Sequence, residues 1–151
     1  YLYGLKYTVL RYANIYGPRQ DAQGEGGVIS IFATKLLDGQ RPVIFGDGEQ
    51  TRDFVYVEDV AAANVKALSG ADNMILNVGT GEPISINKLL AVMAEVIDSG
   101  IQPIHAEDRQ GDIKHSCMET GRIKEYLGWA PAFSLAEGLA KTMEFYKNNQ
   151  I

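Results

Sequence analysis

One stretch constrains this chain more than any other: Phe45-Gly46-Asp47-Gly48-Glu49-Gln50-Thr51-Arg52-Asp53-Phe54-Val55-Tyr56-Val57-Glu58-Asp59-Val60. Two glycines flank Asp47, the pattern of a tight turn that needs positive φ. Phe54-Val55-Tyr56-Val57 is aromatic and β-branched, as a strand interior requires. Glu58 and Asp59 follow, where a helix N-terminus favours negative charge. The stretch therefore reads as a strand end, a turn, a second strand and a helix start. Arg52 lies between turn and strand, so a stiff support carries its guanidinium. Such a fork grips a phosphate or a carboxylate. An equally open reading pairs Arg52 with Asp53 or Glu49 on the surface.

Around this stretch, short apolar runs alternate with amphipathic ones. Gly4 closes an opening helical segment. Tyr7-Thr8-Val9-Leu10-Arg11-Tyr12 reads as a strand apolar enough for burial in a sheet. Ala13 to Arg19 leaves it as a loop broken by Gly17-Pro18. Asn14 then stands at a strand's carboxyl end, where open α/β sheets bind ligands, although an asparagine there also caps turns. Asp21 to Gly27 is a glycine-rich loop without the spacing of a dinucleotide fingerprint. Val28 to Gly39 spells a helix of about three turns with Gly39 as its stop, and Pro42-Val43-Ile44-Phe45 a short strand. A helix from Val57 or Glu58 to Ser69 ends at Gly70. Met74 to Val78 is a further strand, and Ser85 caps a helix over Ile86 to Asp98. Pro103 to Ala106 is a strand, Thr120 caps a short helix, and Ser134-Leu135-Ala136-Glu137 is a capping box for the last one. The architecture is α/β, with a small mixed sheet and flanking helices.

A chain of 151 residues with 46% hydrophobic and 22% charged content suits one globular domain. Its net charge of −5 argues against a general nucleic-acid surface. No apolar run approaches the roughly 20 residues of a membrane-spanning helix. A single cysteine, Cys117, allows no internal disulfide and fits a reducing cytoplasm. His105 and His115 are the only histidines and match no metal-site spacing. None of the serines sits in a nucleophile elbow. Adjacent carboxylates such as Glu58 and Asp59 do not face one another, so they are poor acid–base partners. What remains is a recognition set. Arg52 and Arg109 suit a diphosphate, Val43 and Phe45 offer an apolar slot for a flat base, and Asp112 suits a sugar hydroxyl. Asn14 stands beside them at its strand end.

These residues resemble a known family. Leu10 to Arg19, Ile44 to Gly48, Arg52 to Val60, Leu76-Asn77-Val78-Gly79 and Arg109 to Ser116 look like the extended short-chain dehydrogenase/reductases of the NAD-dependent epimerase/dehydratase family. The nearest group is the UDP-glucose 4-epimerases, and the resemblance covers Tyr1 to about Tyr146. It implies a substrate-binding, carboxyl-terminal portion of an extended Rossmann-type enzyme. It also implies roles by position. Ala13 would lie near the nicotinamide and Asn14 on the phosphate side. Val28 and Ile29 would line the substrate site. Val43, Ile44 and Phe45 would hold uracil, and Arg52 would meet the diphosphate. Arg109 and Asp112 would contact phosphate and ribose.

The departures are equally specific. The family's catalytic Tyr-x-x-x-Lys pair has no match, because Tyr3 and Lys6 are one residue too close and Tyr16 with Arg19 does not substitute. The glycine-rich dinucleotide loop has none either. Both lie upstream of Tyr1 in the resemblance, so residues 1–151 are expected to be a truncated sugar-nucleotide-binding portion without catalytic residues or NAD binding of its own. The intact enzyme is expected to hold NAD, act on a UDP-sugar as a cytoplasmic homodimer, and bind neither nucleic acid nor membrane. Sugar-nucleotide 4,6-dehydratases, decarboxylases and uronate epimerases share the motifs, and a standalone nucleotide-binding module is the alternative outside enzymes.

Overall fold

Short strands keep few partners. In the computed structural model, which describes residues 3–21 and 27–149, β1(Thr8–Tyr12) and β6(Met74–Val78) are the longest strands, at five residues each. They pair in parallel, Thr8 opposite Met74 and Tyr12 opposite Val78. β2(Asn14–Tyr16) pairs in parallel with β5(Phe54–Tyr56), and β3(Val43–Phe45) with β8(Ile104–Ala106). β4(Thr51–Arg52) and β7(Ile84–Ser85) are antiparallel. The helices are α1(Val28–Leu37), α2(Val57–Ala67), α3(Ile86–Val96), α4(Gly121–Leu127) and α5(Leu135–Asn148). The expected mixed sheet is thus spread over four ladders.

Two residues explain the division. The backbone of Ala13 donates to the Val78 carbonyl at 2.9 Å, while that of Asn14 donates to the Asp53 carbonyl at 2.8 Å. The strand therefore leaves β6 at Ala13 and joins β5 at Asn14. Asp53 separates β4, which pairs with β7, from β5, which pairs with β2. Residues 13–19, expected as a loop, resume as a strand over Asn14–Tyr16 because β5 offers a fresh edge.

β5 is the wall between two apolar clusters, since alternate strand residues face opposite sides. Phe54 and Tyr56 join Tyr16, Phe32, Ile44, Leu89, Met93 and Leu139 beneath α1, α3 and α5. Val55 joins Val60, Leu76, Val78, Ile123 and Trp129 beneath α2 and α4. The capping box of Ser134 and Glu137 opens α5, and Ser85 caps α3 by accepting from the Lys88 backbone at 3.1 Å.

Four local expectations are corrected. Thr120 precedes α4 without a side-chain capping bond, at φ −118° and ψ 5° rather than the extended backbone of a normal N-cap. Asp59 does more than face a helix dipole. It is 3% exposed, its carboxylate accepts from the Ala132 and Phe133 backbones, and its carbonyl accepts from Trp129 Nε1 at 3.0 Å. The first strand, expected to be buried in a sheet, is at most half-buried on one face and exposed on the other. Leu10 packs toward α2, and Tyr12 Oη donates to Asn64 Oδ1. Val9 and its register partner Ile75 stay 43% and 44% exposed on the other face. The opening segment Gly4 was expected to close is not helical from residue 3 onward, and residues 1–2 lie outside the described chain. So does most of the glycine-rich loop, residues 22–26.

Candidate functional site

Parallel β3 and β8 end side by side, and their carboxyl ends open into a hollow of about 230 Å³. That is the end of a parallel pair at which α/β folds bind ligands. Phe45, Asp47, Gln50, Asp108, Arg109, Asp112, Ile113 and Lys114 surround it.

The glycine turn after β3 forms the floor. Gly46 and Gly48 have φ of 73° and 76°, as the flanking glycines require. Gly46 also lies under Asp108, whose carboxylate would collide with any Cβ there. Asp47 accepts from the Glu49 backbone at 2.9 Å and from Lys114 Nζ at 3.0 Å. These contacts, the Glu49 N–H foremost, hold its carboxyl below the usual carboxylate range, and Asp47 raises Lys114 in return. Gln50 Nε2 donates to the Phe45 carbonyl at 2.9 Å, which fixes the end of β3.

The segment after β8 forms the opposite wall. The Arg109 guanidinium lies over the Phe45 ring, 4.6 Å from its centroid, a cation–π contact. Arg52 reaches the same wall from β4. Its Nη1 donates to the carbonyls of Ile113 at 2.6 Å and Thr51 at 2.8 Å, and its Nη2 to Asp112 Oδ1 at 2.5 Å. Of the two sequence readings for Arg52, the pairing with Asp53 or Glu49 does not occur. The guanidinium partner is Asp112, from a segment far along the chain.

Phe45, Arg109 and Asp112 therefore share one hollow, with Arg52 behind Asp112. Val43 and Ile44 alternate on β3: Val43 is exposed, whereas Ile44 is 1% exposed and its side chain belongs to the core. Ile29 is likewise turned into the core at 2% exposure, and Val28 packs against that core. Neither they nor Asn14 line the hollow. Burial explains this for Ile29 and Ile44, which keep only backbone groups for a ligand. Ala13 and Asn14 sit at the point where β1 gives way to β2, beside Gly79 and Thr80.

Asp53, whose carbonyl accepts from the Asn14 backbone, was missed by sequence reasoning. It is 1% exposed. Its Oδ1 accepts from the Thr80 backbone at 2.8 Å and Thr80 Oγ1 at 2.7 Å. Its Oδ2 accepts from the backbones of Gly81 at 3.0 Å and Met118 at 3.2 Å. A carboxylate inside a run that otherwise reads as a buried strand is the signal that points to it, because a buried charge must be satisfied. Gly79 is required beside it, since a Cβ would stand 2.5 Å from Asp53 Oδ2. Gln50, Asp108 and Lys114 were also missed as lining residues. Cys117 is an exposed free thiol, which desolvation and then the Asp53 charge push up. Among the described residues no cluster of side chains could hold a metal, and no helix is long and apolar enough to cross a membrane.

A hollow at the carboxyl ends of a parallel strand pair, lined by one guanidinium and one aromatic ring with a second guanidinium behind Asp112, places this chain in the α/β class. Comparison with known proteins gives that class a family. Residues 2–79 match the NAD dependent epimerase/dehydratase family. Over 148 residues the chain is 47% identical to a putative UDP-glucose 4-epimerase of Methanocaldococcus jannaschii, covering 98% of this chain and 48% of the relative. It is 44% identical to the UDP-glucose 4-epimerase of Mycolicibacterium smegmatis, covering 97% and 47%. The crystal structure of the Thermotoga maritima UDP-glucose 4-epimerase with UDP-glucose superposes with a TM-score of 0.94 at 47% identity, over 97% of this chain and 47% of that one. The chain belongs to the NAD dependent epimerase/dehydratase family. It spans about half the length of the curated relatives it matches.

Proposed function

We propose that this chain is the sugar-nucleotide-binding portion of an NAD-dependent UDP-hexose 4-epimerase. One observation carries the reading: Phe45, Arg109 and the Arg52–Asp112 pair converge on a single hollow at the carboxyl ends of β3 and β8. A flat uracil would stack on Phe45 and meet the backbone of Val43 and Ile44. Arg52 and Arg109 would take the diphosphate, bidentate geometry suiting its oxygens. Asp112 would stand beside the ribose, and Asn14 on the phosphate side. Val28 and Ile29, at the start of α1, would approach the hexose through the α1 backbone. At about 230 Å³ the hollow is below the roughly 300–1,000 Å³ of a complete small-molecule site, and fits a nucleoside better than a whole sugar nucleotide.

NAD supplies the hydride acceptor in this chemistry. Of the residues present, Ala13, just past the carboxyl end of β1, would touch its edge by its backbone. The contribution of residues 1–151 is to bind and orient the sugar nucleotide, which lowers the barrier by fixing the reacting carbon. The catalytic Tyr-x-x-x-Lys pair and the dinucleotide loop belong to sequence outside this range. On this reading the enzyme works as a homodimer in the cytoplasm.

The test is to incubate the full-length protein with UDP-galactose and follow UDP-glucose by chromatography. Interconversion of the two is the expected result. No interconversion, with turnover instead of dTDP-glucose to a 4-keto-6-deoxy sugar or of UDP-glucuronate with loss of carbon dioxide, would overturn the epimerase reading and assign a dehydratase or decarboxylase.

A further inference from the structure

The hollow is electrostatically closed against the ligand it is read to bind. Arg109 and Lys114 line it, but so do Asp47, Asp108 and Asp112. Arg52, behind Asp112, only brings the formal balance to zero. A diphosphate carries about two negative charges into this neutral rim; Arg109 has no ion pair among the described residues, so a second cation comes free only by leaving a protein carboxylate.

The geometry shows which one. Lys114 and Asp47 are both well exposed, and Asp47 has a second bond to the Glu49 backbone that fixes the turn. Arg52 is different. Its side chain is only 16% exposed, and the carbonyls of Thr51 and Ile113 hold Nη1 whatever Nη2 does. Asp112 takes Nη2 from the open side and is 36% exposed. It sits in a turn where its own backbone N–H donates to the Arg109 carbonyl at 3.1 Å, after the positive-φ Gly111. Rotation about its side chain frees Arg52 without disturbing that turn.

We propose that Asp112 is a placeholder anion, occupying Arg52 Nη2 in the ligand-free site and yielding it to a phosphate oxygen when the nucleotide enters. The inference rests on the sugar-nucleotide reading above and deepens it. It makes Asp112 a determinant of how much the phosphates add to binding. A nucleoside leaves the Arg52–Asp112 pair intact, whereas a nucleoside diphosphate must break it. The exchange costs whatever the Arg52–Asp112 contact contributes, the freed Asp112 carboxylate being taken up by water.

The experiment measures dissociation constants of uridine and UDP by calorimetry on the full-length protein. The quantity of interest is the ratio of the uridine constant to the UDP constant, which isolates the phosphate increment. Asp112→Asn keeps the turn and removes the competing charge, and the ratio is expected to rise about tenfold. Asp112→Ser is the second variant should the first not fold. Asp108→Asn removes a carboxylate from the same rim without touching Arg52, and its ratio is expected to rise less than twofold. In an Arg52→Gln background, Asp112→Asn is expected to leave the ratio unchanged, as a double-mutant cycle requires of a pairwise effect. A ratio that stays within twofold or falls in Asp112→Asn, or rises equally in Asp108→Asn, overturns the placeholder. Wild-type protein that binds neither ligand overturns the site reading itself.

Discussion

Asp53→Asn tests whether one buried carboxylate ties the 80–81 loop and Met118 to the junction of β4 and β5. The side chain accepts four hydrogen bonds, two on each oxygen, from the 80–81 loop and from Met118. Asparagine is the same shape but offers one acceptor oxygen. With that oxygen toward Thr80, its amide faces the Gly81 and Met118 N–H groups, donor against donor. Two bonds to a charged acceptor are lost, at about 1.5–3 kcal/mol each, and the remaining two lose charge assistance. The expected cost is about 3–6 kcal/mol, a large part of a domain stability of about 5–15 kcal/mol. With a urea slope of about 2 kcal/mol/M, the unfolding midpoint falls by about 2 M at unchanged slope. Hydrogen exchange reads the same event locally, through lost protection of the Gly81 and Met118 amides. A loss below about 1 kcal/mol, with those amides as protected as in the wild type, would refute the argument.

Other perturbations separate binding from folding. Arg52→Ala is expected to weaken UDP binding by about 2–4 kcal/mol, roughly 30- to 1,000-fold, by leaving phosphate charge unmatched; titration showing less than tenfold counts against its role. Phe45→Ala is expected to cost about 1–3 kcal/mol of UDP affinity through lost base stacking. Its ring is 40% exposed, so the melting temperature should barely move, and a large drop would mark Phe45 as structural instead. Glu137 in the α5 capping box titrates below the ordinary carboxylate range, first because the Ser134 side chain and then its backbone bond the ionised form. A depressed folded-state pKa gives stability that is present above the ordinary value of about 4.3 and is lost as pH falls through the folded one. Glu137→Gln should therefore flatten the acid limb of the stability curve and leave the neutral region nearly level. An acid limb identical to wild type rules out this contribution.

What could be read in advance follows a physical divide between local and non-local causes. The Gly46-Asp47-Gly48 turn, the Ser85 cap and the Ser134–Glu137 box are set by neighbours a few residues away, and all three stand in the structure. Phe45 and Arg109 were legible as site residues because each ends or follows a short strand. The partner switches were not. Nothing within a few residues of Ala13 says that the strand will leave β6 for β5, since that depends on where β5 lies. The same holds for Arg52. Its adjacent carboxylates, Glu49 and Asp53, were the natural partners on sequence distance, yet Asp53 is spent on Thr80, Gly81 and Met118. Because that carboxylate is already satisfied, Arg52 is left to Asp112 and the Ile113 carbonyl on the far wall. A buried carboxylate inside a strand-like run thus redirects the neighbouring cation to Asp112 on the wall of the hollow, and the two charges adjacent in sequence end in separate roles.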